Sequence, residues 1–212
     1  MAWTNEELAG LVAADIGDGW VVNLGVGLPT LVAERLYGRP VLVHSENGIL
    51  GVGPPPPIGE EDPDIIDPGK NPVTIVTGAA YMDSLTSFAL IRGGHLDLAV
   101  MGAFQVSERG DLANWRLPGR RGGAIGGAAD LAAGSKRVWA MTTHVTKDGE
   151  PKLLRACTYP LTATGVVTRV YTDLAVLDIT PTGFRAIAVA SGVTADELVA
   201  STDAPVDIAV TA

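Results

Sequence analysis

Residues 20–44 of the chain read WVVNLGVGLPTLVAERLYGRPVLVH, and this stretch predicts the fold class. Two short runs rich in β-branched residues, Trp20–Leu24 and Val41–His44, are typical of buried strands. Between them lie the turn Gly25-Val-Gly27 and a helix predicted from Pro29 through Leu36, because proline is favoured in the first turn of a helix. A strand, a helix and a second strand in so short a stretch form a βαβ unit, whose strands pair in parallel through a right-handed crossover.

Strands and helices continue to alternate along the rest of the chain. Thr4 and Glu7 have the spacing of a capping box before apolar residues at helical intervals, which predicts a first helix ending near Gly17 or Gly19. Further strands are predicted at Val73–Val76, Leu96–Met101, Arg137–Met141, Val166–Tyr171, Leu174–Ile179 and Phe184–Val189, and further helices at Met82–Ile91 and from Thr194, where Glu197 completes a second capping box.

Two segments interrupt this alternation. Gly48–Pro72 contains four consecutive prolines and an acidic run, and it is predicted to lack regular structure. Pro118–Gly134 is interpreted as a second, glycine-rich crossing. The whole pattern predicts one α/β domain over residues 1–212, an open, mainly parallel sheet with flanking helices. Its ligand crevice should lie at the carboxyl ends of the strands.

Charge and cysteine content exclude several classes of function. The 212 residues include 15 Lys and Arg against 24 Asp and Glu, a formal charge of −9, so we expect neither a nucleic-acid partner nor an anionic membrane surface. The first basic residue is Arg35 and no apolar run approaches the ~20 residues of a membrane span, so we expect a cytoplasmic chain. A single cysteine, Cys157, and three scattered histidines argue against a metal site.

The segment from Asn23 to Glu46 allows two functional interpretations. The first is a dinucleotide site, because Gly25-Val-Gly27 follows a strand and opens a helix, and Glu46 lies near the spacing of a ribose-binding acid. Two features weaken this interpretation. Thr30 stands where a third glycine would allow close packing, and Pro29 removes an N–H from the phosphate-binding turn.

The second interpretation makes Glu46 the reacting group. Glu46 follows the strand Val41–His44, so a rigid element delivers its carboxylate to the crevice. A carboxylate nucleophile needs donors that stabilise the oxyanion formed when it adds to a carbonyl, and the backbone N–H groups of Gly126 and Gly127 could supply them. A structural acid that holds the loop N–H groups is the alternative for the same residue.

The stretch Ser45-Glu-Asn-Gly-Ile-Leu-Gly-Val-Gly-Pro54 resembles the Ser-Glu-Asn-Gly signature of class I coenzyme A transferases, specifically the B chain of 3-oxoacid CoA-transferases. The resemblance covers all but the ends of the chain. It continues through Asn23–Pro29, Ile91–His95, Gly102–Ser107, Gly110–Trp115, Gly126–Ala128, Cys157–Thr162 and Thr172–Val176.

This resemblance implies a CoA-transferase-like fold and a ping-pong transfer of CoA from succinyl-CoA to a 3-oxo acid. Glu46 matches the family's catalytic glutamate, which forms an acyl anhydride and then a glutamyl-CoA thioester. Gly127 matches a glycine whose N–H helps form the oxyanion hole, and Lys70 matches a lysine near the CoA site. The matching motifs also place Asn47, Gly48, Gly25, Gly27 and Gly126 among the residues that bind substrate or CoA.

The resemblance further implies a partner. The family builds its active site between an A and a B subunit, so this chain is expected to be inactive alone and to form an A2B2 heterotetramer. Coenzyme A thioester is then a substrate, and no cofactor is expected to stay bound.

The sequence specifies the 3-oxo acid that accepts CoA less tightly than it specifies the family. The segment Arg120–Ile125 lacks a lysine that many acetoacetate-type members carry, and Ala129 replaces their usual methionine. Cys157-Thr-Tyr-Pro160 and Arg169–Asp173 are more similar to the 3-oxoadipate branch, the enzymes of aromatic degradation. We therefore expect 3-oxoadipate, with acetoacetate as the alternative. A related thioester hydrolase and a non-catalytic assembly protein also remain open.

Overall fold

The computed structural model describes residues 1–209, which are built around a ten-stranded sheet and a small three-stranded sheet. The strands of the large sheet are β1 (Val21–Leu24), β2 (Leu42–Ser45), β3 (Ile49–Val52), β4 (Ile75–Tyr81), β5 (Leu98–Gly102), β8 (Val138–Met141), β10 (Val167–Tyr171), β11 (Ala175–Thr180), β12 (Gly183–Val189) and β13 (Val206–Ile208). Their order across the sheet is β13-β12-β11-β10-β8-β5-β1-β2-β3-β4. The small sheet contains β6 (Gln105–Ser107), β7 (Leu112–Ala113) and β9 (Leu153–Leu154).

The centre of the large sheet is parallel, as the βαβ pattern predicts. Strand β1 pairs in parallel with β2 on one side and β5 on the other, and β5, β8 and β10 continue the parallel arrangement. Antiparallel strands flank this centre, with β3 and β4 beyond β2 and with β11 and β12 beyond β10. The carboxyl ends of β1, β2, β5 and β8 therefore lie along one edge, where a ligand crevice is expected.

Helices cover both faces of the sheet. They are α1 (Asn5–Asp15), a 3-10 helix (Leu28–Val32) continued by α2 (Ala33–Leu36), α3 (Ser84–Arg92), α4 (Ala128–Gly134) and α5 (Ala195–Ala200). Strand β5 shows why both faces are apolar: Ala99 and Met101 join a core with α3, α4 and α5, whereas Leu98 and Val100 join a second core with α1 and α2. Such two-sided burial is typical of parallel sheets.

Both predicted capping boxes are present. The Thr4 hydroxyl accepts a hydrogen bond from the Glu7 N–H, and the Glu7 carboxylate accepts one from the Thr4 N–H. Thr194 and Glu197 make the same pair of bonds at the start of α5. No helix among residues 1–209 is long and apolar enough to cross a membrane.

Three local predictions are wrong. Residues 49–52, expected to be irregular, form β3, which folds back on β2 as a hairpin. The predicted strand Val73–Val76 is displaced, since β4 spans Ile75–Tyr81 and includes a Gly-Ala-Ala run with little strand signal of its own. The end of the glycine-rich crossing Pro118–Gly134 is helix α4. In each case pairing or packing with distant residues overrides weak local propensity.

Candidate active site

Glu46 lies in a three-residue turn that joins β2 to β3 at the carboxyl edge of the sheet. Ser45 pairs with Ile49 across this hairpin, and the Gly48 N–H donates to the Ser45 carbonyl oxygen at 3.0 Å. Gly48 has φ +123°, and a Cβ there would overlap the backbone carbonyl oxygen of Met82. The turn therefore requires glycine at position 48, both for its backbone angle and for the close approach of the chain.

The Glu46 carboxylate is held by Asn23. The Asn23 Nδ2 atom is 3.0 Å from Glu46 Oε2 and 3.1 Å from the His44 carbonyl oxygen. Asn23 is 1% exposed on β1, the strand next to β2. Because it is fixed by the sheet, its amide orients one carboxylate oxygen and leaves the other available for chemistry.

Sequence reasoning assigned no role to Asn23, although the residue begins the family-like motif Asn23–Pro29. A signal was present in the chain, since Asn23 is an amide within an otherwise apolar strand. Such a buried polar side chain needs a hydrogen-bond partner, and here the partner is the Glu46 carboxylate.

His44 supports Asn23 without carrying a charge. Its Nδ1 lies 3.3 Å from Asn23 Nδ2, and its Nε2 lies 3.0 Å from the Ser87 hydroxyl. Burial lowers the pKa of His44, and the charge of Glu46 opposes this effect. His44 is thus a neutral imidazole at physiological pH and leaves the Glu46 carboxylate without a cationic neighbour on β2.

Gly127 lines the same cavity as Glu46. It caps the N-terminus of α4 with φ −78°, and a Cβ built on it would be 3.8 Å from Glu46 Cγ and 3.1 Å from Phe88 Cζ. Gly126, the residue before it, has φ +50°. The structure therefore brings together Glu46 and Gly127, which are far apart in sequence, and a glycine at position 127 leaves room beside the carboxylate.

A cavity of about 560 Å³ opens in front of Glu46, a volume suited to a small-molecule site. Its walls come from the carboxyl ends of β1, β5 and β8, from α4 and from the segment that precedes α4. Besides Glu46 and Gly127 its lining includes Gly25, Val26, Leu28, Phe104, Asn114, Ile125, Ala128, Thr142, Thr143 and Lys152.

Lys152 contributes a cation to this cavity, and sequence reasoning missed it. Its Nζ donates to the Thr143 hydroxyl at 2.7 Å and to the Thr142 hydroxyl at 3.1 Å, just beyond the end of β8. Burial lowers the pKa of Lys152, and the nearby Asp173 charge acts in the opposite direction. The sequence carries only a broad signal: nine of the fifteen basic residues fall between Arg109 and Arg155.

The two glycines after β1 have different positions. Gly25 lines the cavity, and its N–H donates to the Val100 carbonyl oxygen at 2.8 Å. Gly27, with φ +99°, precedes a 3-10 helix that begins with Leu28 and Pro29. The dinucleotide interpretation needs free N–H groups at the start of an α-helix. An occupied Gly25 N–H and a proline-containing 3-10 turn therefore disfavour it.

Asn47 and Lys70 lie outside the cavity that contains Glu46. The Asn47 amide donates to the Ile66 carbonyl oxygen at 2.7 Å, which ties the 53–72 loop to the hairpin. Lys70 is exposed, has φ +66°, and closes a turn in which its N–H donates to the Asp67 carbonyl oxygen. Neighbours of Lys70 in the same loop, Gly69 and Asn71, line a separate cavity of about 220 Å³.

No group of three or more His, Cys, Asp or Glu side chains within residues 1–209 is arranged to hold a metal ion. At the carboxyl edge, the Glu46 carboxylate, the start of α4 at Gly127 and Lys152 line one cavity.

Comparisons with known proteins agree with this geometry. The family model described as coenzyme A transferase matches residues 5–201. The B subunit of 3-oxoadipate CoA-transferase from Pseudomonas putida is 54% identical over 194 residues, 91% of this chain and 91% of that one. The B subunit of succinyl-CoA:3-ketoacid coenzyme A transferase from Helicobacter pylori is 43% identical over 196 residues, 92% of this chain and 95% of that one.

A solved structure shows the same fold. The acyl-CoA transferase YdiF of Escherichia coli O157:H7 superposes with a TM-score of 0.78 over 98% of this chain, at 20% identity. This chain spans 42% of the length of that protein. The family match and the extent of identity to the two B subunits show that the chain belongs to the coenzyme A transferase family.

Proposed function

We propose that this chain is the B subunit, a single domain over residues 1–212, of a CoA-transferase that moves CoA from succinyl-CoA to a 3-oxo acid. The observation that carries the proposal is that Glu46 and Gly127 line the same cavity, in a member of the coenzyme A transferase family. The preferred acceptor is 3-oxoadipate, since the Pseudomonas putida relative is 54% identical and carries that name. Acetoacetate is the second candidate, because the 3-ketoacid relatives are nearly as similar.

The reaction begins when one Glu46 carboxylate oxygen attacks the thioester carbonyl carbon of succinyl-CoA. A C–O bond forms, the C–S bond breaks, and CoA leaves as a thiolate, which produces a mixed anhydride of succinate and Glu46. The thiolate then attacks the Glu46 carbonyl carbon and expels succinate. The product is a thioester between Glu46 and CoA, and the 3-oxo acid carboxylate removes the CoA by the same steps in reverse.

Both additions to a carbonyl create an oxyanion that needs hydrogen-bond donors. We assign one donor to the Gly127 N–H, because Gly127 lines the same cavity as Glu46, with Gly126 setting the backbone before it. Asn23 positions Glu46 through its side-chain amide. Gly25 forms part of the cavity wall that contacts the substrate. A Cβ at this position would lie 3.2 Å from the Val100 carbonyl oxygen.

The remaining site residues act on the CoA side or through the backbone. Gly27 and Gly48 give the two turns their shape, and Asn47 fastens the loop that carries Lys70. Lys70 is exposed outside the Glu46 cavity, so it can pair with a phosphate of CoA that extends beyond that cavity. Coenzyme A is thus a substrate, and we propose that no cofactor remains bound between turnovers.

A partner chain completes the site. The relatives at 54% and 43% identity are both named as B subunits, which supports an A subunit for this protein. We propose that the two chains form an A2B2 assembly. The cavity beside Glu46 is open on one side, as expected of a site that a second chain covers. We also propose a cytoplasmic location, supported by the lone, free Cys157.

The test is to trap the covalent intermediate. The chain, reconstituted with its A partner, is incubated with succinyl-CoA, reduced with borohydride and digested for mass spectrometry. We expect the modification on the peptide that contains Glu46. Glu46→Gln should abolish it while assembly with the A partner persists, because the shape is kept and the nucleophile is lost. Glu6→Gln, an exposed change on α1, is the matched control and should behave as wild type.

Modification of another residue, or turnover by Glu46→Gln, would refute the role of Glu46. Succinyl-CoA hydrolysis without transfer to any 3-oxo acid would show a thioester hydrolase instead. Parallel assays with 3-oxoadipate and acetoacetate decide the acceptor.

A further inference from the structure

Lys152 has a position in the cavity that the transfer of CoA through Glu46 does not use. Among the cavity-lining residues, Glu46 and Lys152 are the ones with an acidic or basic side chain. Lys152 is half-buried, and its ammonium group is fixed by the hydroxyls of Thr142 and Thr143. A lysine held in this way offers its third N–H to whatever occupies the cavity.

The substrates of the proposed reaction carry a second charge that must be accommodated. Succinyl-CoA keeps one free carboxylate at the far end of its acyl chain, and 3-oxoadipate keeps one when its other carboxylate reacts. Burying such a carboxylate beside apolar residues such as Ile125 and Phe104 is costly unless a cation is present. The overall charge of −9 makes a local cation still more necessary.

The strand order separates Glu46 from Lys152 by a distance that fits a dicarboxylic acyl chain between them. Glu46 follows β2. Lys152 precedes β9, and its ammonium group contacts Thr142 and Thr143 just beyond the end of β8, with β1 and β5 between β2 and β8. Three strand spacings amount to ~14 Å between the strand axes. Glu46 and Lys152 line the same cavity, and this span leaves room between their side chains for an acyl chain of four to six carbons. Such a chain is about 4–6 Å long, because each ~1.5 Å bond advances an extended chain by ~1.25 Å.

We infer that Lys152 binds the distal carboxylate of the acyl group and thereby selects dicarboxylic substrates. This inference rests on the proposed function. Lys152 is then a specificity-determining residue that touches the far end of the substrate, whereas Glu46 reacts with the near end. Its contacts with Thr142 and Thr143 hold the ammonium group in the cavity before substrate arrives, so little ordering is needed on binding.

The experiment compares substrates with and without the distal charge. The assembled enzyme is mixed with succinyl-CoA or with the CoA thioester of monomethyl succinate, and formation of the Glu46–CoA thioester is followed by intact-mass spectrometry. Lys152→Met should lower kcat/KM for succinyl-CoA about 10- to 100-fold, the usual effect of removing a hydrogen bond to a charged group. The methyl ester should lose less than about threefold, because it lacks the charge that Lys152 binds. Lys147→Met, an exposed charge removal outside the cavity, should leave both rates unchanged.

The discrimination between the two substrates separates this role from other roles of Lys152. A merely structural lysine, or one that binds a CoA phosphate, would lower both rates by the same factor, and that result would overturn the inference. Equal use of both thioesters by the wild type would also overturn it. Failure of the wild type to form any thioester with succinyl-CoA would instead refute the proposed function. Lys152→Arg, which keeps the charge, should retain preference for succinyl-CoA.

Discussion

Replacing Gly48 by alanine tests how the hairpin holds Glu46. Gly48 has φ +123°, which costs a residue with a side chain about 1–3 kcal/mol. The new Cβ would also overlap the Met82 carbonyl oxygen, a backbone atom that no rotamer change can move. To relieve this overlap, the turn must shift away from Met82. The shift weakens the 2.9 Å hydrogen bond from the Met82 N–H to the Gly48 carbonyl oxygen, which contributes about 1 kcal/mol.

The matched control is Gly38→Ala. Gly38 also has a positive φ, +83°, but a Cβ there meets no atom within 4 Å. Both variants therefore carry a backbone penalty, and only Gly48→Ala carries the overlap. With overpacking of about 1–3 kcal/mol added to the lost bond, we expect Gly48→Ala to be about 3 kcal/mol less stable than Gly38→Ala.

Two assays check this prediction. Urea unfolding of the purified chain gives the two free energies of unfolding. Formation of the Glu46–CoA thioester in the assembled enzyme gives the effect on chemistry, which we expect to fall about 100-fold or more, because a shift of ~1 Å in a reacting group has this effect. If Gly48→Ala matches Gly38→Ala in stability and keeps the wild-type rate, the glycine does not fix the nucleophile and the reasoning is wrong.

Three further predictions concern separate parts of the molecule. Asn23→Ala removes the amide that donates a hydrogen bond to Glu46 Oε2 at 3.0 Å. Single-turnover assays should show formation of the Glu46–CoA thioester slowed about 10- to 100-fold. An unchanged rate would mean that Asn23 does not orient the carboxylate. Burial lowers the pKa of His144 to about 4. Below pH 6.5 the unfolded chain therefore binds a proton at His144 that the folded chain does not bind, and about 3 kcal/mol of the free energy of unfolding should be lost as the pH falls from 6.5 to 4. Urea unfolding at several pH values should show a shallower loss in His144→Asn, and identical slopes would contradict the assignment. Thr4→Ala breaks the capping box of α1 and should cost about 1 kcal/mol by urea unfolding, whereas no change would mean that the helix start is held by other contacts.

Local sequence patterns predicted the secondary-structure elements that depend on residues close together in the chain. The capping boxes at Thr4 and Thr194 and the βαβ unit of residues 20–44 were predictable, because each depends on residues within a few positions of one another or on continuous apolar runs. The Glu46 turn was identified for the same reason. Its signature, Ser45-Glu-Asn-Gly48, forms one compact hairpin turn.

The structure decided the features that depend on partners distant in sequence. Strand β4 contains Gly78 and two alanines, which favour no strand, and it forms because β3 offers it an edge. The small sheet of β6, β7 and β9 brings residues 105–113 beside residues 153–154, and no periodicity in such short strands predicts that pairing.

The candidate site divides in the same way. Glu46 and Gly127 were predicted as site residues from the sequence, since a side chain and a glycine pair can be recognised from local motifs. Their position on one cavity, the amide of Asn23 on Glu46 and the ammonium group of Lys152 in the same cavity come from strand order, which places the ends of β1, β2, β5 and β8 side by side. The functional groups available to the site follow from the sequence, because each residue type carries its own side-chain chemistry. Which of these groups lie close together follows from the tertiary structure, because strand order and packing set the distances between residues that are far apart in the chain.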